Sequence, residues 1–532
     1  MFIGIFGMDS TVAKIYELFD KLEDVKKEPI ETRTQKEQEI QAELMKKVRK
    51  YCSTLYTDFE RHFQMFEKYI ASNSQIPDEV KDKYTQVIQG LTQDYENSEI
   101  EKLIERYRKF DASTEKSFKD KNEANEEIRK YMMSYLSKSF ESDDDLKHFM
   151  GTYSDFNSRT WISQIPKYVN RIPDFNINNP EHIQSIIDLY HQSYEKFQKF
   201  DASTVEWDLS FEQAVRSGNI ISLREAKISH DYLASKGKTI RALSAIYPAH
   251  SPKFGGNITK EQFLEIFNEY LDSLANNCPY LDYFDFFNEL AYDSGMHQMM
   301  NNFEAGRLLE PSIYEELLGE DYYIQLIEMA RDKFPDTKLM YNDFGHESKE
   351  KCEKILKILD KIQEREKIKG KKLLDGVGVQ CRLTSENQDL RSVDWFIQQA
   401  SERGLEVQIT EVDVIKVDKE KYMDKTDTRT PEERQKAVYQ GVIDIATKHK
   451  DSITGFTLGD FNDITSFSAQ QQRAKILSND PSPTCYDKEG QIKPWAREIL
   501  STYKNEVVQQ ASANVSQTNV NQTSSSLQIS SD

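Results

Sequence analysis

The sequence predicts an α/β protein, a (β/α)8 TIM barrel preceded by an all-α helical N-terminal region. From about residue 146 onward, short apolar or β-branched runs alternate with helix-length amphipathic segments, as in a barrel of parallel strands. Before that point, apolar side chains recur at helical spacing. Residues 509–532 carry no charge before Asp532 and too few apolar side chains to form a core. The expected divisions are a helical bundle or interaction region at 1–145, the barrel at 146–505 and a disordered polar tail at 506–532.

The N-terminal region carries a stripe of apolar residues on one helix face. Ile40, Leu44 and Val48 follow one another at steps of four, which places them on the same face. A small bundle of helices buries such stripes without another protein. The alternative is an interaction or oligomerisation module, so a protein partner or self-association through these helices stays open.

The barrel region contains eight runs with the length and composition of β-strands. Each run is followed by turn residues or by a segment long enough for a helix. Strand and helix in repeated alternation are typical of a closed parallel barrel. The predicted strands are 148–154, 200–206, 239–247, 283–290, 338–344, 375–383, 405–414 and 453–461.

The net charge of the chain argues against two classes of partner. Lys and Arg number 70 against 90 Asp and Glu, which gives a formal net charge of −20. This charge repels nucleic-acid phosphates and anionic lipid surfaces, so we expect neither nucleic acid nor a membrane as partner. A neutral polysaccharide or oligosaccharide is compatible with it.

Cysteine and histidine usage indicates neither a disulfide framework nor a metal site. The five cysteines are far apart, and the nine histidines lack HExxH spacing. Because no phosphate-loop pattern is present either, we expect no metal and no cofactor. The apolar run 2–8 is broken by two glycines and lacks a basic start, and no run is long enough for a membrane span. The expected location is the cytoplasm, with secretion by another route left open.

Two glutamates end predicted strands on the same side of the barrel. Glu289 lies at the end of the fourth strand and Glu411 near the end of the seventh. The C-terminal strand ends form the functional face of such barrels. Cleavage of a glycosidic bond needs a carboxylic acid and a carboxylate that act together. Because any barrel rim carries acidic residues, this pair alone indicates a glycosidase only as one of two interpretations.

A series of motifs around these glutamates is more specific than the pair. The motifs are Phe-Asp-Phe-Phe-Asn-Glu at 284–289, Leu-Met-Tyr-Asn-Asp-Phe at 339–344, Asp-Gly-Val-Gly-Val-Gln at 375–380 and Val-Gln-Ile-Thr-Glu-Val-Asp at 407–413. In order and spacing they resemble those of glycoside hydrolase family 10, the endo-1,4-β-xylanases. The resemblance implies a retaining hydrolase that cleaves β-1,4-linked polysaccharide of the xylan type by double displacement.

The resemblance also implies roles for single residues. Glu289 would be the general acid/base and Glu411 the nucleophile, while Asn288 would hydrogen-bond the sugar 2-hydroxyl. This reaction requires carboxyl groups about 5–5.5 Å apart. It also requires that burial or a nearby negative charge raise the pKa of Glu289. The other candidates for substrate binding are Gln380, Arg382, Asn342, Tyr247, Glu206 and Phe467, with Asp413 and Asp343 as supporting acids.

Several positions depart from the family pattern. Leu243 and Pro248 stand where the family has histidines, and Leu458 stands where it has a tryptophan. These changes remove hydrogen-bond donors and an aromatic ring from the sugar pocket. The alternative function is therefore a catalytically impaired barrel that acts as a glycan- or protein-binding module.

Arg382 is the departure with the most direct consequence, because the family has a histidine there. One interpretation is that its guanidinium clamps the Glu411 carboxylate with two hydrogen bonds, which would stabilise the charged form and weaken it as a nucleophile. The alternative is that Arg382 points into solvent or pairs with Asp343 or Asp413.

Overall fold

The computed structural model contains a closed ring of parallel strands. It describes residues 2–53, 70–71, 76–96, 134–140, 142, 145–146, 148–149, 179–205, 207–216, 220–252, 254, 258–299, 303–460, 462–463 and 466–500. Within these ranges the strands are β1 (Phe2–Met8), β2 (Ala202–Val205), β3 (Val215–Arg216), β4 (Ile220–Ile221), β5 (Thr239–Ile246), β6 (Tyr283–Asn288), β7 (Lys338–Asp343), β8 (Gly376–Val379), β9 (Arg382–Thr384), β10 (Glu406–Ile415) and β11 (Ile453–Leu458).

The strand order shows that the predicted (β/α)8 barrel is correct. Eight strands follow one another in the order β1-β2-β5-β6-β7-β8-β10-β11, and every pairing between them is parallel. The ring closes because β11 pairs with both β10 and β1. The short strands β3 and β4 form a separate antiparallel pair, and β9 extends the edge of β10.

The first barrel strand lies elsewhere than predicted. We expected it at 148–154, but β1 occupies the position between β11 and β2. His148 and Phe149 are helical, and 150–154 lie outside the described residues. Seven strands alone would leave two edges with unpaired backbone groups, and the apolar run at the N-terminus supplies the missing partner. The expectation that 1–145 is helical throughout is therefore wrong for its first residues.

The sixth predicted strand, 375–383, is divided into β8 and β9. Between them, Cys381 adopts the left-handed conformation with φ +55°, which interrupts the ladder. The other predicted strands are confirmed with ends that differ by a few residues.

The helices cover the outside of the ring and the N-terminal region. Two of the barrel helices begin with a capping box, Thr259 with Gln262 and Thr430 with Glu433, which satisfies free amide groups of the first turn. The helices are α1 (Ser10–Val25), α2 (Ile30–Ser53), α3 (Asp78–Glu96), α4 (Pro180–Phe197), α5 (Phe211–Ala214), α6 (Arg224–Ser235), α7 (Lys260–Asn277), α8 (Ser294–Met299), α9 (Ile313–Leu318), α10 (Tyr322–Lys333), α11 (Lys349–Lys369), α12 (Arg391–Glu402), α13 (Pro431–Lys448), α14 (Phe467–Gln470) and α15 (Gln472–Leu477).

The predicted apolar stripe of the N-terminal region packs against the barrel. Leu44 and Val48 of α2 are buried in the same apolar cluster as the barrel interior, and α2 contacts α1 and α4. A second, smaller cluster forms around Tyr84 and Ile88 of α3. In the part of the chain that the structure describes, no helix is apolar enough over a sufficient length to cross a bilayer.

Candidate active site

The ends of four neighbouring strands bring the predicted polar residues together. Asn288 ends β6 and lies opposite Asn342 of β7, which in turn lies opposite Gly378 of β8. Glu411 lies in the C-terminal half of β10. These side chains meet at one end of the ring because parallel strands present their carboxyl ends on the same side.

Glu289 follows β6 in an unusual backbone conformation. Its φ is +55°, which lets its N–H donate to the carbonyl of Asn342 at 2.9 Å and is a strained conformation for a residue other than glycine. Its carboxyl accepts two hydrogen bonds, from Gln380 Nε2 to Oε1 at 2.8 Å and from the Tyr247 hydroxyl to Oε2 at 2.7 Å. Burial raises the pKa of Glu289, and the Asp343 charge adds to this effect while Gln380 and Tyr247 oppose it.

Glu411 is held by one neutral and one charged donor. Asn342 Nδ2 donates to its Oε1 at 3.0 Å, and Arg382 Nε donates to its Oε2 at 2.8 Å. The carboxylate is buried. The Arg382 guanidinium thus supplies a charge-assisted hydrogen bond that fixes the orientation of Oε2 in this buried carboxylate.

Arg382 lies between two carboxylates. Its Nε contacts Glu411, and its Nη1 contacts Asp413 Oδ2 and lies 3.3 Å from Ser468 Oγ. Of the two interpretations, the two-bond clamp on Glu411 is wrong and the pairing with Asp413 is confirmed, since Asp413, two residues further along the same strand face, receives the second nitrogen. Burial raises the pKa of Asp413, whereas the Arg382 charge and the Ser468 hydroxyl lower it.

A chain of side-chain amides connects the two glutamates. Asn342 Nδ2 donates to Glu411 and also, at 2.9 Å, to Asn288 Oδ1. Gln380 Nε2 lies 3.5 Å from the same Asn288 oxygen and donates to Glu289. Thr410 fixes the orientation of the Asn342 amide by donating to its Oδ1 at 2.8 Å. We call this series from Glu411 through Asn342, Asn288 and Gln380 to Glu289 the amide chain.

Gly378 leaves the space that the amide chain occupies. A Cβ at this position would lie 2.4 Å from Asn342 Oδ1 and 2.7 Å from Arg241 Nη2. Contacts this short are not found between real side chains, so a larger residue would displace Asn342.

Asp343 is placed beside this chain rather than on it. Its carboxylate accepts from the Tyr341 hydroxyl at 2.7 Å and from the Phe344 N–H at 2.9 Å, and it lies 3.3 Å from Lys351 Nζ. Burial raises the pKa of Asp343, and Lys351 opposes the change. The Asp343 charge is also one of the causes that raise the pKa of Glu289, after burial.

A layer of polar residues beneath the site was not predicted. Arg241 of β5 donates two hydrogen bonds to Asp285 of β6 and one, at 2.6 Å, to Gln408 of β10. Burial raises the pKa of Asp285 to about 6, with Arg241 acting in the opposite direction. The sequence carried a signal for this pair, because Arg241 and Asp285 each lie inside an otherwise apolar strand run. Buried charged side chains are almost always paired, so these two could have been expected to contact each other.

The remaining candidates lie at the margin of the site or outside the described residues. The Phe467 ring lies 5.3 Å from the Arg382 guanidinium and is 49% exposed. Glu206 lies outside the described residues, so its predicted sugar contact stays a prediction. Ser468, which donates to both Asp413 oxygens at 2.8 and 2.7 Å, was missed because an isolated serine carries no sequence signal. Across the described ranges, no group of three His, Cys, Asp or Glu residues forms a cation site.

A family comparison covers the segment that carries the two glutamates. Residues 192–502 match the family described as glycosyl hydrolase family 10. The chain belongs to glycosyl hydrolase family 10. Family 10 proteins are glycosidases, and the matched segment includes both glutamates, the amide chain and Arg382. β1 lies outside the matched segment.

Several xylanases are similar to this family 10 chain. Endo-1,4-beta-xylanase A of Caldicellulosiruptor saccharolyticus is 27% identical over 274 residues, 50% of this chain and 76% of the relative. Beta-1,4-xylanase of Dictyoglomus thermophilum is 25% identical over 283 residues, 51% of this chain and 74% of the relative. The crystal structure of xylanase XynB from Paenibacillus barcinonensis with a conduramine derivative is similar in fold, with a TM-score of 0.51, 19% identity and coverage of 59% of this chain and 92% of that one.

Proposed function

We propose that this chain is a retaining glycosidase that hydrolyses β-1,4-linked polysaccharide of the xylan type, with Glu289 as general acid/base and Glu411 as nucleophile. The observation that carries the proposal is the amide chain, which joins a carboxyl held by neutral donors to a carboxylate held by a cation. A retaining glycosidase uses two carboxyl groups in contrasting surroundings, one as the acid and the other as the nucleophile. Membership of family 10 and the names of the similar xylanases support the substrate class.

In the first step, an oxygen of Glu411 attacks the anomeric carbon while Glu289 gives its proton to the departing glycosidic oxygen. The carbon–oxygen bond to the leaving sugar breaks, and a glycosyl ester of Glu411 forms. Asn342 holds Oε1 of Glu411 in place. The Asn288 carboxamide lies between the glutamates, where its amide group can bind the 2-hydroxyl of the sugar.

In the second step, the Glu289 carboxylate removes a proton from a water molecule, and the water oxygen attacks the anomeric carbon. The ester bond to Glu411 breaks and the product keeps its original anomeric configuration. Burial raises the pKa of Glu289, so one group is acid in the first step and base in the second.

A binding module without turnover is the second candidate. Arg382 supports it, because its guanidinium donates to Glu411 Oε2 and also contacts Asp413. A carboxylate with a strong charge-assisted hydrogen bond is a weaker nucleophile. Leu243 and Pro248 support the same candidate, because neither offers a hydrogen-bond donor from its side chain to a sugar.

Turnover of an aryl β-xylobioside and of xylan separates the two candidates. We expect the parent protein to hydrolyse both, and Glu289→Gln to lower kcat on xylan by about 10²–10⁴-fold. Glu265→Gln, on the exposed side of α7, is the matched control and should leave kcat unchanged. A parent protein that binds xylan but hydrolyses neither substrate would favour the binding module.

Azide distinguishes the roles of the two glutamates. In Glu411→Ala, azide can fill the space of the lost carboxylate and attack an activated β-glycoside directly, giving the α-glycosyl azide. In Glu289→Ala, azide attacks the glycosyl ester from the opposite face and gives the β-glycosyl azide. Identification of the product anomers by NMR checks the assignment, and the reverse pairing of variants and anomers would exchange the roles.

A further inference from the structure

The Tyr247 hydroxyl is the second hydrogen-bond partner of the Glu289 carboxyl. It lies 2.7 Å from Oε2, while Gln380 Nε2 lies 2.8 Å from Oε1. An amide nitrogen can only donate, whereas a phenol hydroxyl can donate or accept. A proton on Oε2 is therefore compatible with the Tyr247 hydroxyl, whereas a proton on Oε1 would face the Gln380 N–H.

We propose that Tyr247 is a positioning residue that keeps the transferable proton of Glu289 on Oε2 and holds that oxygen before and after the transfer. The inference rests on the proposed role of Glu289 as acid/base. Gln380 donates to Oε1, so a proton on that oxygen would compete with its N–H. The hydroxyl of Tyr247 tolerates either state of Oε2, since it can rotate its own hydrogen.

The bond from Tyr247 becomes stronger as the reaction proceeds. When the Oε2 proton moves to the glycosidic oxygen and the bond to the leaving sugar breaks, negative charge is left on the Glu289 carboxyl. The Tyr247 O–H then donates to an anion, and charge-assisted hydrogen bonds are about twice as strong as neutral ones. Tyr247 thus favours departure of the proton, an effect that appears in the transition state.

The surroundings of Tyr247 hold its ring in place. Tyr247 follows the last residue of β5, and its ring centroid lies 4.7 Å from that of His250. The His250 N–H donates to the Tyr247 carbonyl at 3.0 Å, and His250 Nδ1 lies 3.3 Å from Glu212 Oε2. His250 therefore contacts both the backbone and the ring of Tyr247. These contacts hold the ring whose hydroxyl meets Glu289.

The test is the titration of Glu289 in the resting protein. With ¹³C-labelled glutamate, we expect the Glu289 resonance of Tyr247→Phe to titrate about one pH unit higher than in the parent, because loss of a donor disfavours the anion. Replacement of Tyr247 by 3,5-difluorotyrosine, a stronger donor, should move the titration to lower pH. Tyr280→Phe, whose ring is 69% exposed, is the control and should not move it.

Kinetics then separate positioning from a general loss of structure. In Tyr247→Phe, hydrolysis of a glycoside with a poor leaving group should slow about tenfold or more, while one with a good leaving group, which needs little protonation, should keep its rate. Equal slowing of the two substrates would overturn the inference. An unchanged titration of Glu289 in both Tyr247→Phe and the 3,5-difluorotyrosine protein would also overturn it. Because the titration needs no turnover, an inactive parent would refute the proposed function and still leave the Tyr247 contact measurable.

Discussion

Glu411 and Asp413 point to the same side of β10, and two buried carboxylates this close repel each other. Arg382 resolves the repulsion by contacting both, with 14% of its own side chain exposed. Phe467 covers one face of the guanidinium, and Ser468 binds Asp413. A single cation therefore holds the candidate nucleophile and its neighbour in one arrangement.

We expect Arg382→Met to destabilise the protein by about 3–5 kcal/mol, because it leaves two buried carboxylates without their cation. Urea unfolding measures the change. The double variant with Asp413→Asn has only one buried carboxylate without a cation. Its loss of unfolding free energy should therefore be smaller than the sum of the losses in the two single variants. Arg391→Met is the control, since Arg391 pairs with Asp389 at 90% and 59% exposure and should change stability by less than about 1 kcal/mol. Equal effects of the two arginine changes would contradict this account.

At the scale of elements, Asp208 attaches the start of α1 to the barrel. Its carboxylate accepts from the Ser10 N–H at 2.7 Å and from the Ser229 hydroxyl of α6 at 2.9 Å. Asp9 caps α1 beside it. Burial raises the pKa of Asp208 to about 7, and the Asp9 charge adds to this effect.

The raised pKa of Asp208 predicts a pH-dependent stability. The folded protein retains a proton that the unfolded chain releases near the ordinary value of 3.8. The stabilisation is therefore complete below about pH 4 and is lost as pH rises through about 7. Asp208→Asn keeps an oxygen acceptor and cannot ionise, so its stability relative to the parent should increase from pH 5 to pH 8 by roughly 1–3 kcal/mol. Asp188→Asn on the exposed side of α4 should follow the parent, and parallel urea midpoints for all three proteins would refute the prediction.

At the scale of the whole molecule, the ring is closed by a strand that is distant in sequence from its neighbour. β1 pairs with β2, and Gly4 lies opposite Ala202. On its other side Phe2 lies opposite Gly455 of β11. A long insertion that contains α2 and α3 therefore separates the first barrel strand from the second along the chain, and the matched family segment alone lacks one strand.

We expect that a chain lacking residues 1–9 will lose cooperative thermal unfolding, because β2 and β11 are left with unpaired backbone groups at two open edges. A chain that starts at residue 146 should fail in the same way. A chain that ends at residue 508 is the control and should unfold like the parent, since the removed tail is polar and carries one charged residue. Circular dichroism during heating gives the comparison, and an intact transition without residues 1–9 would show that β1 is dispensable.

Seven of the eight barrel strands could be predicted because each is a local apolar run followed by turn and helix signals. The strand at Phe2–Met8 could not, since two glycines interrupt its short apolar run and the helices α1 to α4 separate it from β2 along the chain. The site was predicted at the level of residue types: the motif around Glu289 and the motif around Glu411 lie at strand ends, and the ring brings them to one side. The partners of those residues were predicted only in part, since the pairing of Arg382 with Asp413 was one of two interpretations and the contact of Tyr247 with Glu289 was not predicted.

The order of apolar runs and the spacing of polar residues are properties of neighbouring residues, so the sequence by itself determined the barrel class, the candidate glutamates and the family. The strand that closes the ring, the carboxylate that receives each nitrogen of Arg382 and the hydroxyl that meets Glu289 were decided only by the tertiary structure. Each of these depends on which backbone edges and charged atoms remain unpaired after the rest of the chain has packed, and residues far apart in the sequence then become neighbours.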